Sequence, residues 1–241
     1  NQETEDSEQN MVPRAKITSL EGIQHLTNLT VLDFSENNVG DISPLQNLTN
    51  LTELDFGGNS VSDISRLQNL TNLTFLGFYN NSVSNISPIQ HLNNLQYLNF
   101  SNNQVSDITP VQKLTNLEDL SFYSNIVSNI TPVQNLTNLE GLYLWENLVI
   151  DITPVQNLTN LKGLHFGHNL VNDITPVQNL IKLQWLMCGD YISDVSPVQN
   201  LTEIQWLGIG GSQLSDISPL QNLINLNRLS FRQSKVSDIS P

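Results

Sequence analysis

The sequence repeats itself at a short and regular interval. Residues 48–69 reproduce most of the apolar positions of residues 26–47, which is a shift of 22 residues. After a half-unit at residues 17–25, units open at Leu26, Leu48, Leu70, Leu92, Leu114, Leu136, Leu158, Leu180, Leu201 and Leu223. The unit that opens at Leu180 is one residue short, and the last unit is incomplete. This pattern predicts stacked structural units, each of which contacts only its neighbours.

The repeats divide the chain into two parts. Residues 16–241 form ten repeats, the last incomplete, and we expect them to make one domain. Residues 1–15 fall outside the pattern and are acidic, without apolar periodicity. Nothing in them offsets the entropy that ordering would cost, so we expect a disordered tail.

Each unit has the same internal frame, seen in Leu29, Leu32, Phe34 and Asn37. The alternation around Leu32 is short and is followed by turn-forming residues, which predicts one short parallel strand per repeat. Proline recurs in the second half of the unit and prevents a long helix there. It stands at positions 44, 88, 110, 132, 154, 176, 197 and 219. The predicted fold is an α/β leucine-rich-repeat solenoid, a curved horseshoe with a parallel sheet on its concave face and 3₁₀ or extended returns on its convex face.

Two series of polar residues recur with the repeat, and both predict structural roles. The asparagines occupy the turn after each strand, where a side-chain amide can donate and accept between adjacent coils. They are Asn37, Asn59, Asn81, Asn103, Asn125, Asn147 and Asn169, and the series then lapses to Asp190, Ser212 and Ser234. An aspartate recurs on the back face at positions 41, 63, 107, 151, 173, 194, 216 and 238. We interpret the first series as an asparagine ladder and the second as part of the repeat rather than as calcium ligands.

The repeat text resembles a known family. The lead-in KITSLEGIQHLTNLT, units such as LTNLTELDF and the D-I-[ST]-P turn are similar to those of the internalins, which are secreted or surface-anchored leucine-rich-repeat proteins of Gram-positive bacteria. The resemblance covers residues 16–241. It implies display outside the cytoplasm and adhesion to a host-cell or other surface protein.

Composition excludes several classes of function. A formal net charge of −14 with nine Lys and Arg residues argues against nucleic acid as a partner. No apolar run approaches the roughly 18 to 20 residues of a membrane span, so we expect no direct membrane insertion. The single cysteine, Cys188, excludes an internal disulfide framework and is expected to be an inert core residue.

The residues that the repeat does not dictate are expected to carry the function. Alternation along each strand sends the positions between the core leucines to the concave surface. Three variable columns result, and they hold all three tryptophans and four of the five tyrosines. These residue types are enriched at binding hot spots. The candidate ligand-binding residues are Phe75, Tyr79, Tyr97, Tyr123, Tyr143, Trp145, His165, His168, Trp185, Trp206, Arg228 and Arg232.

Other interpretations of the same columns stay open. Aromatic stacking between strands could serve only to stabilise the sheet. His165 and His168 near Glu146 allow a metal or acid/base site, but a third histidine and a nucleophile with a base are lacking. Acidic residues at the first repeats (Asp33, Glu36, Glu53, Asp55) against Arg228 and Arg232 at the last could orient a partner or be scattered solubilising charge.

The sequence therefore predicts a protein without catalysis or cofactor that binds a protein ligand on its concave face, as a secreted or surface-displayed adhesin. The alternative is an intracellular scaffold or phosphatase-regulatory subunit with 22-residue repeats. Flanking sequence would separate the two, because a signal peptide and a wall anchor belong to an adhesin.

Overall fold

A computed structural model of the protein describes residues 15–211, 213–232 and 234–237. The acidic tail was expected to be disordered over residues 1–15, and residues 1–14 of it lie outside this range. The described residues contain ten parallel strands that pair in sequence order in a single open sheet. They are Val31–Asp33 (β1), Glu53–Asp55 (β2), Phe75–Gly77 (β3), Tyr97–Asn99 (β4), Asp119–Ser121 (β5), Gly141–Tyr143 (β6), Gly163–His165 (β7), Trp185–Met187 (β8), Trp206–Gly210 (β9) and Arg228–Arg232 (β10). The predicted solenoid is confirmed.

The return segments on the convex face are 3₁₀ turns, as the prolines predicted. They span Ile23–His25, Ser43–Asn47, Ser65–Asn69, Ser87–Ile89, Thr109–Lys113, Thr131–Val133, Thr153–Val155, Thr175–Val177, Ser196–Val198 and Ser218–Asn222. The recurrent aspartate accepts a backbone N–H at the start of most turns, and Asn85 and Asn129 take its place before two of them. Oδ1 of Asp63, for example, accepts the backbone N–H of Ser65 at 2.8 Å, and Oδ2 accepts the hydroxyl of Ser65 at 3.1 Å. These two hydrogen bonds lower the pKa of Asp63. The back-face aspartates are therefore structural.

The core is a stack of identical layers. Leu54 and Phe56 are fully buried, and their equivalents in the neighbouring repeats lie directly above and below them. The phenylalanine rings from Phe34 to Phe122 stack in five successive repeats at centroid distances of 5.6 to 5.8 Å. Each layer thus buries the apolar surface of the next, which no single repeat could do.

The asparagine ladder joins these layers at the edge where the strands end. In Asn125, Nδ2 donates to the carbonyls of Phe100 and Phe122 at 3.1 and 3.0 Å, and Oδ1 accepts the N–H of Val105 at 2.9 Å. One side chain therefore satisfies backbone groups of two repeats in a place closed to water. The predicted ladder is confirmed from Asn37 to Asn169.

A second amide ladder, which the sequence analysis missed, runs along the opposite edge, before the strands begin. Nδ2 of Asn116 donates to the carbonyl of Asn93 at 2.8 Å, and the same bond recurs in other repeats. The donors are Asn50, Asn72, Asn94, Asn116, Asn138, Asn160 and Asn225. These amides are exposed, so we expect each to contribute less than a buried one.

Both ladders break at the short repeat that opens at Leu180. The missing residue falls in the turn after β8, where Asp190 replaces the inner asparagine. On the outer edge Lys182 replaces the asparagine and donates from Nζ to Oδ1 of Asn160 at 2.8 Å. The sheet nevertheless continues, because Trp185 pairs with Trp206 and Met187 with Gly208 in unbroken register.

The inner ladder should contribute more than the outer ladder to the free energy of unfolding. We expect Asn125→Ala to lower the free energy of unfolding by about 2 to 3 kcal/mol, because it strands buried backbone groups. Asn116→Ala, its exposed counterpart, should cost about 0.5 kcal/mol. Urea unfolding followed by circular dichroism measures both, and equal losses would show that burial does not set the value of these amides.

Candidate functional site on the concave face

The three columns face the concave surface as predicted. In β8, Trp185 is 43% exposed while its neighbour Leu186 is fully buried. The candidate residues of the columns are brought to one continuous surface by the sheet, which repeats their positions from strand to strand. Arg232 ends β10, where its backbone pairs in register with Gly210.

Two groups of rings stack across neighbouring strands. Phe75 and Tyr97 lie 4.5 Å apart in almost parallel planes. Further along, Trp145 stacks between Tyr123 at 4.7 Å and His165 at 5.8 Å. We call Tyr123, Trp145 and His165 the central stack. Such pairs hold each other's orientation, so the rings present a rigid surface to solvent.

His165 is an uncharged member of the central stack at neutral pH. Burial lowers its pKa to about 4, and the neighbouring His168 contributes to the shift. His168 itself lies in the turn after β7, with a positive φ of 51°. Its Nδ1 is 3.3 Å from Oδ2 of Asp190. The two histidines therefore take different roles, one as a stacked ring and one as the partner of a carboxylate.

Tyr143 turns away from the central stack, although it is a candidate binding residue like Trp145. It lies over the first column, where Gly141 and Gly163 carry no side chain. A Cβ atom on Gly163 would lie 3.1 Å from the hydroxyl oxygen of Tyr143 and 2.9 Å from Cε3 of Trp185. Burial, followed by the charge of Asp119, raises the pKa of Tyr143 to about 12.

Glycines elsewhere in the columns serve the same purpose. The ring of Tyr79 lies against Gly57, and the thioether of Met187 lies against Gly208. A Cβ atom at either glycine would overlap these side chains. We call these glycines the glycine seats, because each leaves room for a large side chain of an adjacent strand, a role that the sequence analysis did not assign to them.

The last repeats combine an indole with a cation. The guanidinium carbon of Arg228 lies 4.1 Å from the ring centroid of Trp206, a cation–π contact. Nε1 of Trp206 is buried and has no hydrogen-bond acceptor within the described part of the chain. Trp185 lies beside Trp206 on the adjacent strand.

A pocket of about 200 Å³ opens where the inner ladder breaks. Trp145, His165 and His168 line one side of it, and Asp190 and Gly210 line the other. Met187 and Cys188 also contribute to the lining. Burial raises the pKa of Cys188 to about 12, so its thiol is protonated and unreactive at neutral pH. Sequence reasoning missed this pocket, although the missing residue in the turn after β8 was a visible signal.

Carboxylates crowd the concave face near the first repeats. Burial raises the pKa of Asp55, and the charges of Asp33 and Glu36 add to the shift. Burial likewise raises the pKa of Asp119, which the sequence analysis did not count as part of the site. Both carboxylates thus lie partly out of water, and acidic neighbours add to the cost of their charge.

Over the ranges that the structure describes, no three His, Cys, Asp or Glu side chains are grouped so that they could hold a metal ion. Among those residues there is also no helix with the length and apolar character needed to cross a membrane.

The parallel sheet, the 3₁₀ returns and the two amide ladders define a leucine-rich-repeat solenoid. The family described as leucine-rich repeats (2 copies) matches residues 49–93 and 93–135. An internalin (inlF) from Listeria monocytogenes has 37% identity and a TM-score of 0.80, over 92% of this chain and 72% of that one. Internalin C2 (inlC2) from the same organism has 31% identity and a TM-score of 0.66, over 86% and 83%. The chain therefore belongs to the internalin-type leucine-rich-repeat family.

Two further comparisons are less informative. A plant peptide hormone receptor (RGFR1), in complex with RGF2, has a TM-score of 0.76 over 89% of this chain and 38% of that one. At 24% identity this likeness concerns the fold alone. A comparison with curated proteins gives no match.

Substitution of a glycine seat should disturb the aromatic surface. We expect Gly163→Ala to change the near-ultraviolet circular dichroism, because Trp185 and Tyr143 must both move away from the new methyl group. Gly189→Ala is the control, since its Cβ would be 3.8 Å from the nearest atom. An unchanged spectrum for Gly163→Ala would show that these rings are not held against the glycine.

His165 should make the fold sensitive to acid. Its pKa of about 4 in the folded chain lies below the ordinary 6.5, so between these values the unfolded chain binds a proton that the folded chain excludes. This difference removes stability progressively as the pH falls from about 6.5 to about 4. We expect His165→Gln to lose less stability than the parent between pH 7 and pH 4.5, measured by urea midpoints. Equal losses in the two proteins would contradict the burial of this imidazole.

Proposed function

We propose that this chain is a non-catalytic module that binds a protein ligand on its concave face and acts as a secreted or surface-displayed adhesin. The observation that carries the proposal is the sorting of aromatic rings. Nearly all phenylalanines fill the core, whereas Trp145, Trp185 and the concave tyrosines face solvent on a rigid sheet. Tyrosine and tryptophan give large contact areas at a small cost in conformational entropy.

The geometry of the surface favours a protein over a small molecule. The candidate rings extend from β3 to β9, six strand spacings of about 4.8 Å, or roughly 29 Å. This length is comparable to a protein interface of standard size. The rings are also fixed before binding, by stacking on one another and by the glycine seats. A surface already in its bound conformation loses little entropy on association.

The charge of the surface indicates the chemistry of the partner. The first repeats present Asp33, Glu36, Glu53 and Asp55, and Asp119 follows in β5. Arg228 lies at the opposite end, against Trp206. A partner with basic side chains over the first repeats would be attracted and oriented by this arrangement, and its association would slow as salt increases.

Membership of the internalin-type family supports the adhesin over the intracellular scaffold. Within this proposal the partner is a protein of a host cell or another surface. Among the candidate residues, we expect the central stack to contribute most to binding, followed by Tyr143 and Trp185 and then by Phe75 and Tyr97.

A binding titration separates surface aromatics from core aromatics. The parent chain is first screened against an array of purified vertebrate cell-surface ectodomains, and the ectodomain that binds saturably is then titrated by interferometry. We expect Trp145→Ala to weaken binding by at least about thirtyfold, the scale of an interface hot spot, while costing only about 1 kcal/mol of stability. Phe122→Ala should cost about 3 to 5 kcal/mol of stability through a core cavity.

Two further variants complete this test. Trp145→Phe keeps a ring between Tyr123 and His165 and should bind with intermediate affinity. Gln112→Ala on the convex face should bind like the parent. If Trp145→Ala bound as tightly as the parent but unfolded much more easily, the aromatic surface would be a packing feature and the proposal would be wrong.

A further inference from the structure

Four exposed apolar side chains form a row along the rim of the sheet. Ile126, Leu148, Leu170 and Tyr191 occupy equivalent positions, just after the inner ladder, in four consecutive repeats. Each exposes between 45% and 57% of its surface. We call them the rim stripe. Single exposed apolar residues are common on soluble proteins, but a contiguous row is not.

The rim stripe is confined to these repeats. The equivalent positions before it hold polar residues, and so do those after it. They are Asn38, Ser60, Ser82 and Gln104 on one side and Gln213 and Lys235 on the other. Beyond the stripe, Nζ of Lys235 donates to Oε1 of Gln213 at 2.9 Å, as expected of a solvated rim. The repeat therefore does not require an apolar residue at this position.

The backbone beneath the rim stripe is rigid. The N–H groups of Ile126, Leu148 and Leu170 donate to carbonyls of the preceding repeats at 3.1, 2.8 and 2.8 Å. These bonds hold successive side chains one strand spacing apart, about 4.8 Å. Ile126, Leu148 and Leu170 are thus held on a preformed edge, and Tyr191 extends it where its backbone bridges Gly211. The four positions span roughly 14 Å.

The rim stripe lies one turn away from the central stack along the chain. Trp145 and Leu148 are three residues apart on either side of the same turn, and Tyr123 and Ile126 are related in the same way. The polar residues between the two surfaces are paired with one another. Oγ of Ser124 donates to Glu146 at 2.6 Å, and His168 contacts Asp190 at 3.3 Å. Because these side chains already pair with each other, a partner that covers them would leave few of their polar atoms buried without a hydrogen bond.

Area and charge decide between the possible occupants. A contact confined to these four half-exposed side chains would fall well short of the roughly 800 Å² per partner of a stable interface, so a partner that uses the rim stripe must also cover a neighbouring surface. A formal net charge of −14 opposes a second copy of this chain. A peptide confined to the groove would leave the rim stripe in water. A folded domain that rests on the central stack and overhangs the rim would cover both surfaces.

We propose that the protein partner is a folded domain that covers the central stack and packs an apolar surface of its own on Ile126, Leu148, Leu170 and Tyr191. This inference rests on the proposed function and adds the class of partner and the position of its edge. The domain also extends over the paired residues Glu146 and His168, so that the interface spans concave face and rim in the same four repeats.

The test uses the purified ectodomain recovered by the array screen. We expect the double variant Leu148→Asn/Leu170→Asn to bind it at least about tenfold more weakly than the parent. Asparagine occupies the equivalent position 38 in this chain, so both substitutions suit the local backbone. Ser82→Asn, the matched control outside the stripe, should bind within about twofold of the parent.

The outcomes distinguish the inference from the proposed function. If Trp145→Ala weakens binding and the double variant does not, the partner lies within the groove, as a peptide would, and the inference is wrong while the proposed function stands. If only the double variant weakens binding, the concave site and the spanning interface are both wrong. If neither weakens binding, or no ectodomain binds the parent, both proposals fall.

Sedimentation equilibrium of the parent tests the competing occupant. We expect a monomer at about 100 μM, since the rim stripe alone buries too little area for self-association. A dimer that the double variant abolishes would identify the occupant as a second copy and would overturn the inference.

Discussion

The buried side chain of the ladder asparagine supports the rest of this structure. From Asn59 to Asn169 each one accepts an N–H from the preceding repeat and donates to carbonyls of both repeats, as Asn125 does with Val105, Phe100 and Phe122. Without it, the tight turn at the end of every strand would bury backbone groups that water cannot reach. This fixed turn aligns the core leucines, the concave columns and the rim in successive repeats. Without it, small errors in the position of each strand would accumulate from one repeat to the next.

The concave surface depends on a second constraint, which is the space available between strands about 4.8 Å apart. Two large rings side by side must either stack or lie over a neighbour that has no side chain. Tyr123, Trp145 and His165 take the first solution. Tyr143 and Trp185 take the second, over Gly163. Packing between adjacent strands therefore constrains the order of large and small residues along a column. This order decides which rings face solvent as a group.

The sequence predicted the solenoid, the parallel sheet, the 3₁₀ returns and the inner ladder, because the residues that encode each of these features recur in successive repeats. It also placed the rings on one face, because alternation along a strand is independent of context. It did not predict how Tyr143 turns, since that depends on glycines in the adjacent strand. It missed the outer ladder, although these asparagines also recur every 22 residues, because the repeated junction does not show which exposed side chain reaches the preceding repeat. The pocket was missed because it arises from one absent residue near Asp190.

The short repeat shows how a repeat protein can acquire a local site at limited cost. Loss of one residue in the turn after β8 removes the ladder amide and leaves Asp190 beside His168. The pairing of Trp185 with Trp206 is unaffected, because strand register is set by the backbone and not by the turn. The disturbance therefore stays within one edge of the sheet, where it opens the pocket beside Trp145. Tyr191, the end of the rim stripe, lies in the same turn. One missing residue thus shapes both the pocket and the last position of the rim stripe, next to the central stack.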